Sequence, residues 1–180
     1  AKLYGRPLCF PRTAKKLAVI PAPPYGEAVI DSRRNHVYIA TGNLYSVPKR
    51  IEDCQKEQNQ QNNTDPTQPD KCIELDNHSD SILALDMDSG EIEWYKQLGG
   101  FDVWFVACMN SKNPNCPIGP SLDYDFEEAP MMLSVVVNGR EKVDVVEVVQ
   151  KSGIAWALKR DNGKLLWTTV SEKQFFISSA

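Results

Sequence analysis

The sequence predicts an all-β protein built from four-stranded antiparallel units, and two observations carry this prediction. Residues 131–170 contain four runs rich in apolar and β-branched residues, separated by tight-turn signals. In addition, the pattern A-L-x-x-D-x-G-x-x-x-W begins at Ala84 and again at Ala157. Five fixed positions at one constant offset indicate an internal structural repeat.

The C-terminal unit is predicted to be four strands joined by short turns. Asn138 and Gly139 follow its first strand and are the strongest short signal for a β-hairpin. Two further turns, at 151–153 and 161–163, separate the remaining strands. This meander spans 40 residues, and one blade of a β-propeller takes about 40–45 residues. The predicted strands are 131–137, 143–150, 154–158 and 165–170.

An N-terminal unit of the same kind is predicted, with longer connections and a charged turn at 31–35. Within the shared pattern, glycine supplies a positive φ and aspartate can bond the turn backbone. Trp94 and Trp167 are then expected to fill the gaps between neighbouring blades. The alternative is one hairpin repeated within a β-sandwich. The predicted strands are 28–30, 37–41, 82–85 and 92–95.

Two connections are longer than a blade requires, and we interpret both as insertions. Loops of an up-and-down blade alternate between its two faces, so both insertions are expected on the same face, where loops often carry function. Residues 56–70 are predicted to be too polar to pack. The predicted organisation is a lead-in at 1–26, a blade at 27–95 with an insertion at 43–80, an inter-blade loop at 96–130, a blade at 131–170 and a tail at 171–180.

The five cysteines favour disulfides over a metal site. None forms a C-x-x-C pair, and the two histidines, His36 and His78, lie far apart in the sequence. Two cysteines fall in each insertion, so we predict one disulfide in each, while Cys9 is either free or paired outside the chain. Such bridges imply an oxidising compartment. The predicted pairs are Cys54 with Cys72 and Cys108 with Cys116.

Other features agree with secretion and exclude some partners. Asn62 and Asn77 begin N-glycosylation sequons within the polar insertion. The chain has 20 basic and 24 acidic residues and a net charge of −4, which gives no basic surface for nucleic acid. It has no run of 18 apolar residues, so no membrane helix is expected. The first residue, Ala1, is neither an initiator methionine nor part of a signal peptide, and we expect a processed or incomplete chain.

Several segments resemble one known family. The repeats and the segments below are similar to quinoprotein dehydrogenases, which are eight-bladed β-propellers that bind pyrroloquinoline quinone (PQQ). Plant members of the branch that resembles polyvinyl alcohol dehydrogenase are the most similar. The resemblance covers about residues 25–170 and implies PQQ-type propeller repeats, here a partial propeller. The segments are YIATGN at 38–43, DVW at 102–104, NCP at 115–117, GP at 119–120 and DF at 125–126.

The resemblance also implies roles for individual residues. Asn43 matches the asparagine of the family's T-G-N, a calcium ligand beside the quinone, and an amide oxygen suits calcium. Trp104 is the matching candidate for contact with the cofactor. The aspartate that follows this tryptophan in the family is the catalytic base, but here the position is Phe105, which cannot accept a proton. Asp102 is the candidate substitute. Adjacent cysteines, which many members stack on the quinone, are absent.

The acidic residues of the inter-blade loop have two interpretations. They could hold calcium, or they could form a solvated acidic face. The residues are Asp123, Asp125, Glu127 and Glu128.

Three functions follow as hypotheses. The first is oxidation of a small alcohol or polyol by bound PQQ with calcium, in a degenerate or partial enzyme. The second is a non-catalytic secreted propeller that binds a glycan or a protein, with Trp104 and Tyr124 as candidates for stacking on sugars. The third is a plant storage or defence protein with a decayed site, in the apoplast or the vacuole. In each case two blades need the rest of a longer chain or another subunit, because propellers close with four to eight blades.

Overall fold

The computed structural model of this chain describes residues 28–60, 67, 70–73, 77–110, 112–117 and 122–170. Eight strands, one α-helix and one short 3₁₀ helix make up its regular structure. The predicted lead-in at 1–26, the tail at 171–180, Cys9 and Asn62 lie outside the described residues. The elements are β1 (Val29–Asp31), β2 (His36–Ala40), α1 (Lys49–Gln60), β3 (Ser81–Asp86), β4 (Ile92–Gln97), the 3₁₀ helix (Val106–Met109), β5 (Met131–Val137), β6 (Glu141–Val149), β7 (Ile154–Lys159) and β8 (Leu165–Val170).

The strands form two antiparallel sheets, and each sheet follows the order of the chain. One contains β1 to β4 and the other β5 to β8, which confirms the prediction of two four-stranded meanders. The second sheet begins pairing earlier than predicted, because Glu141 lies opposite Val137 across the hairpin. Asn138 and Gly139 form that turn with φ values of 52° and 71°. These left-handed conformations are the ones an Asn-Gly turn supplies.

The two sheets pack face to face around one apolar core. Alternate residues of each central strand point to this core, as the two-residue period of a strand requires. Tyr38 and Trp156 are among its largest members, and each is at most 1% exposed. The remaining buried members are Ala40, Ile82, Ala84, Trp94, Leu98, Phe126, Val146, Val148 and Leu158.

Trp94 joins the sheets as the repeat pattern predicted. Its indole Nε1 donates to the carbonyl oxygen of Arg160, at 3.0 Å. A methyl group built on Gly163, in the turn between β7 and β8, would lie 2.5 Å from Trp94 Cε3. The glycine of the second repeat therefore gives the indole of the first repeat room to pack. Trp167, the equivalent of Trp94, is half-buried beside an apolar cluster of its own sheet.

A network of charged residues joins the sheets at the end that carries the short turns. Arg34 donates to Asp31, Asp144 and Asp161 at 2.7–3.1 Å. Arg160 contacts Asp31 at 2.8 Å and Asp144 at 3.1 Å. Burial raises the pKa of Asp31, but the hydrogen bond from Arg34 and the charge of Arg160 outweigh it, and the pKa is lowered. The charged turn predicted at 31–35 is therefore part of the contact between the sheets.

The first insertion packs against the segment that follows β4. Asp70 is buried there, at 8% exposure, so the prediction that residues 56–70 are too polar to pack is wrong for their described part. Helix α1 buries Ile51 against Phe101 and Val103. Its glutamines bond a single buried carboxylate: Gln55 Nε2 donates to Asp70 Oδ1 at 2.7 Å, and Gln58 Nε2 donates to Asp70 Oδ2 at 2.8 Å. These hydrogen bonds compensate the burial of polar groups.

Both predicted disulfides are confirmed. Cys54 is bonded to Cys72, and Cys108 is bonded to Cys116, with Cα–Cα distances of 5.7 and 4.9 Å. The first bridge closes the helical insertion, and the second closes the loop around the 3₁₀ helix. Across the described ranges, no helix has the length and apolar character needed to cross a membrane. The disulfides indicate an oxidising environment.

We expect Gly163→Ala to destabilise the protein more than Gly139→Ala. Both glycines have positive φ values, of 66° and 71°, so both variants lose about 1 kcal/mol from backbone strain. Only the Cβ at position 163 meets Trp94, and this overpacking adds about 1–3 kcal/mol. Urea denaturation of both variants measures the difference. Equal losses would show that the indole does not pack on this turn.

We expect Asp31→Asn to lower the free energy of unfolding by about 3 kcal/mol at neutral pH. The variant removes the buried negative charge that Arg34 and Arg160 both contact. Folding lowers the pKa of Asp31 below its ordinary value of 3.8, so the ionised carboxylate stabilises the folded state at any pH above 3.8. This stability is lost as the pH falls through the pKa of the folded state. The deficit of the variant should therefore shrink in acid.

Asp161→Asn is the matched control, because Asp161 also contacts Arg34 but its side chain is 68% exposed. It should cost less than about 1 kcal/mol. Denaturant titrations from neutral to acidic pH test both variants. A deficit at Asp31 that does not change with pH would contradict the role of its charge.

Candidate functional site

The two insertions meet beyond the end of β2. Leu44 forms an isolated parallel bridge with Val103. Its N–H donates to the carbonyl oxygen of Asp102 at 3.3 Å, and its own carbonyl oxygen accepts the N–H of Trp104 at 3.0 Å. The segment after β2 and the segment after β4 therefore lie side by side, on the shared face that the sequence predicts.

Asn43 lies at the centre of this contact and is 1% exposed. Its backbone N–H donates to Asp125 Oδ1 at 2.6 Å. Its side-chain Nδ2 donates to the carbonyl oxygens of Leu44 and Trp104, at 2.8 and 2.7 Å. The two donated bonds fix the amide, and no described residue donates to Asn43 Oδ1. A buried amide oxygen without a donor suits a hard cation such as calcium.

Asp102 is buried, and backbone donors occupy both of its oxygens. Oδ1 accepts the N–H of Leu122 at 2.9 Å, and Oδ2 accepts the N–H of Tyr124 at 2.6 Å. Burial raises the pKa of Asp102, and these hydrogen bonds oppose the rise only in part. The carboxylate holds the inter-blade loop in place. Its role as a catalytic base stays a prediction.

Trp104 and Phe105 lead into the 3₁₀ helix. Trp104 is half-buried, and its backbone is bonded to Leu44 and Asn43. Phe105 precedes the helix with extended backbone. Phe105 has no carboxylate. The carboxylate of nearby Asp102 is already bonded to two backbone N–H groups. The cofactor contact of Trp104 stays a prediction.

The acidic residues of the inter-blade loop are paired with a lysine. Lys151 Nζ, from the turn between β6 and β7, lies 2.9 Å from Asp125 Oδ2, 3.1 Å from Asp123 Oδ1 and 2.8 Å from Glu127 Oε1. Asp125 is 2% exposed, so this segment is not simply a solvated acidic face. Burial raises the pKa of Asp123 to about 6, although Lys151 opposes the rise.

Asp80 belongs to the same region, and the sequence analysis missed it. Its backbone N–H donates to Gly42, and its carbonyl oxygen accepts from Leu98, both at 2.9 Å. The side chain is 1% exposed, and neither carboxylate oxygen has a described hydrogen-bond donor. Burial, followed by the charges of Asp102 and Asp125, raises its pKa well above the ordinary value. An acidic residue two positions before the predicted apolar strand at 82–85 was the available signal.

The described sequon lies beside this region. Asn77 is partly buried, and its Oδ1 accepts the N–H of Ser79 at 3.0 Å. The intervening His78 is buried and stacks on Tyr95 with ring centroids 4.3 Å apart. Glycosylation of Asn77 stays a prediction.

Within the described ranges, acidic, histidine and cysteine side chains alone do not form a complete metal site. In the part of the chain that the structure describes, no three of them are grouped so as to hold an ion. Asn43 Oδ1 fits one calcium ligand by its chemistry and its lack of a donor. Further ligands would have to include amide, carbonyl or water oxygens, or residues beyond the described ranges.

Comparison with known proteins gives two informative relatives. The chain is 28% identical over 141 residues to polyvinylalcohol dehydrogenase from a Pseudomonas species, which covers 77% of this chain and 17% of that protein. It is 30% identical over 156 residues to polyvinylalcohol dehydrogenase from Sphingopyxis sp. (strain 113P3), which covers 84% of this chain and 18% of that protein. The chain therefore spans less than a fifth of these relatives. No family model matches it.

Two solved structures share the fold. Quinohemoprotein alcohol dehydrogenase from Comamonas testosteroni superposes with a TM-score of 0.50 at 19% identity, over 80% of this chain and 16% of that one. A europium-containing methanol dehydrogenase superposes with a TM-score of 0.51 at 19% identity, over 83% and 19%. The chain is a partial β-propeller of two blades. In sequence it is similar to polyvinylalcohol dehydrogenases, and in fold it is similar to these alcohol and methanol dehydrogenases.

We expect Asp102→Ala to loosen the inter-blade loop. The backbone N–H groups of Leu122 and Tyr124 lose their acceptors, at a cost of about 2 kcal/mol. Hydrogen exchange at these two amides should accelerate more than tenfold. Glu128→Gln is the control, because Glu128 is exposed in the same loop. Unchanged exchange in the Asp102 variant would contradict the structural role of this carboxylate.

Proposed function

We propose that this chain forms two blades of a quinone-dependent alcohol or polyol dehydrogenase-like propeller and does not by itself turn over an alcohol. The observation that carries the proposal is the similarity to two polyvinylalcohol dehydrogenases over more than three quarters of the chain. Because this span is less than a fifth of their length, most of the proposed active site would belong to other blades.

The geometry around Asn43 supports the cofactor part of the proposal. Asn43 Oδ1 would be a calcium ligand, and Trp104, which Asn43 Nδ2 holds through its carbonyl oxygen, would contact PQQ. Asn43 and Trp104 would thus help to hold calcium and the quinone, which together would supply the hydride-accepting chemistry for an alcohol. The chain's own contribution is to position these two groups at the end of the first blade, where Asn43 is 1% exposed.

The absence of turnover follows from the proton that an alcohol must lose. Phe105 stands where the family has its base, and it cannot take a proton. The carboxylate of Asp102 is buried, and two backbone N–H groups occupy its oxygens. Neither the position of the family's base nor Asp102 therefore offers a free carboxylate to the substrate hydroxyl.

The disulfides support a secreted protein. Cys54–Cys72 and Cys108–Cys116 persist in an oxidising compartment, and we include a glycan on Asn77 in the proposal. Because the sequence resembles plant members of the family, we extend the proposal of secretion to the plant apoplast or vacuole.

One observation favours a second candidate, a non-catalytic propeller that binds a glycan or a protein. The loop that follows Phe105 exposes Val106 and Met109, at 72% and 78%. Contiguous exposed apolar surface marks binding sites, and these two side chains would contribute to such a surface on this disulfide-closed loop.

The test is a pair of assays on the 180-residue chain with PQQ and calcium. Quenching of tryptophan fluorescence measures quinone binding, and reduction of an artificial electron-accepting dye measures oxidation of a simple alcohol or of polyvinyl alcohol. We expect calcium-dependent quinone binding without dye reduction. Turnover by the chain alone would contradict the absence of a base. A folded chain that does not bind the quinone would favour the glycan- or protein-binding candidate.

A further inference from the structure

The strongest unassigned feature is the Asp80 carboxylate. It lies at the end of the first blade that carries the two insertions, which we call the loop-bearing end. Its backbone bonds Gly42 on one side and Leu98 on the other. Leu98 belongs to the core between the blades. The backbone of Asp80 is held by both neighbours, so the position of its side chain is set by the sheet and not by a loose loop.

Neither protonation state of this carboxyl is satisfied by the described residues. The side chain is 1% exposed, and both oxygens are without a hydrogen-bond partner. An ionised carboxylate would be buried without a counter-charge, which is costly. A neutral carboxyl would still bury an O–H donor and an acceptor without partners. Since buried polar groups are normally bonded, the site points to a ligand.

The charge around Asp80 specifies the sign of that ligand. Asp102, Asp123 and Asp125 all act on Asp80 electrostatically. Lys151 neutralises part of this negative charge, but its contacts are with Asp123, Asp125 and Glu127. The local field therefore favours a cation over an anion or a neutral group.

We propose that Asp80 binds a hard divalent cation, of the calcium class, at the loop-bearing end of the contact between the two blades. Both carboxylate oxygens then gain a partner, and the negative charge of the region is reduced. Calcium takes six to eight oxygen ligands, including amide, carbonyl and water oxygens. It does not need three grouped carboxylates. Asn43 Oδ1, which also has no described donor, is a second ligand of suitable chemistry.

The test compares calcium binding in the wild-type chain with that in Asp80→Asn. Asparagine has the same shape, tolerates the φ of 45° at this position and removes only the charge, so the variant should fold. The readout is the midpoint of thermal unfolding as calcium is added. We expect the midpoint to rise with calcium in the wild-type chain, and this rise to be lost in Asp80→Asn. Terbium luminescence sensitised by tryptophan gives a second, direct readout.

Glu127→Gln is the matched control. It removes a carboxylate from the same end of the molecule, but this carboxylate is paired with Lys151 and 44% exposed. The control should keep the calcium response of the wild-type chain. A response that survives in Asp80→Asn would overturn the proposal. A wild-type chain that shows no response, with Asp80→Asn equally or more stable, would overturn it too and would identify Asp80 as a buried neutral acid.

This inference rests on the proposed function where it shares Asn43 as a calcium ligand, but its test does not need the quinone. The unfolding assay contains no quinone and no alcohol, so its result stands whether or not the chain binds PQQ. Conversely, quinone binding with no calcium response at Asp80 would leave the proposed function in place and remove only this cation ligand.

Discussion

The contact between Trp94 and the second blade is the constraint on which the rest of the structure depends. The indole reaches the Arg160 carbonyl and packs on Gly163, so it determines how closely the two sheets approach. One end of the resulting seam is closed by Arg34 and Arg160 with three aspartates. The other end carries the insertions. Apolar burial provides most of the attraction between the sheets, while the polar ends determine their alignment.

The loop-bearing end gains its order from the same seam. Lys151 belongs to the second blade, and its carboxylate partners lie in the loop that follows the first blade. Asp125 in turn accepts the N–H of Asn43. A chain of bonds therefore runs from the turn of one blade to the strand end of the other. Any site built around Asn43 is positioned by both blades, so damage to the Trp94 contact should also disturb the site.

The strands were predictable because their signals are local. Asn138-Gly139 and the repeated Asp-x-Gly turns define hairpins within a few residues, and apolar alternation does the rest. Helix α1 was missed because its stability comes from tertiary partners. Its glutamines bond Asp70, and its apolar face packs on the segment after β4. Asp80 was missed for a similar reason. An acid beside a strand reveals nothing about its partners until the neighbouring segments are placed.

The same limit applies to function. Fold similarity is strong evidence for a scaffold and weaker evidence for its chemistry. Here Phe105 removes the base that the resemblance would supply, yet Asn43 Oδ1 has no described donor. Asp80 adds a buried carboxylate, and its backbone bonds Gly42, the residue before Asn43. Cation binding and proton removal are separate requirements of an alcohol oxidation. Asn43 keeps an oxygen ligand of the type that the first requires, while the position from which the resemblance would draw the second holds Phe105.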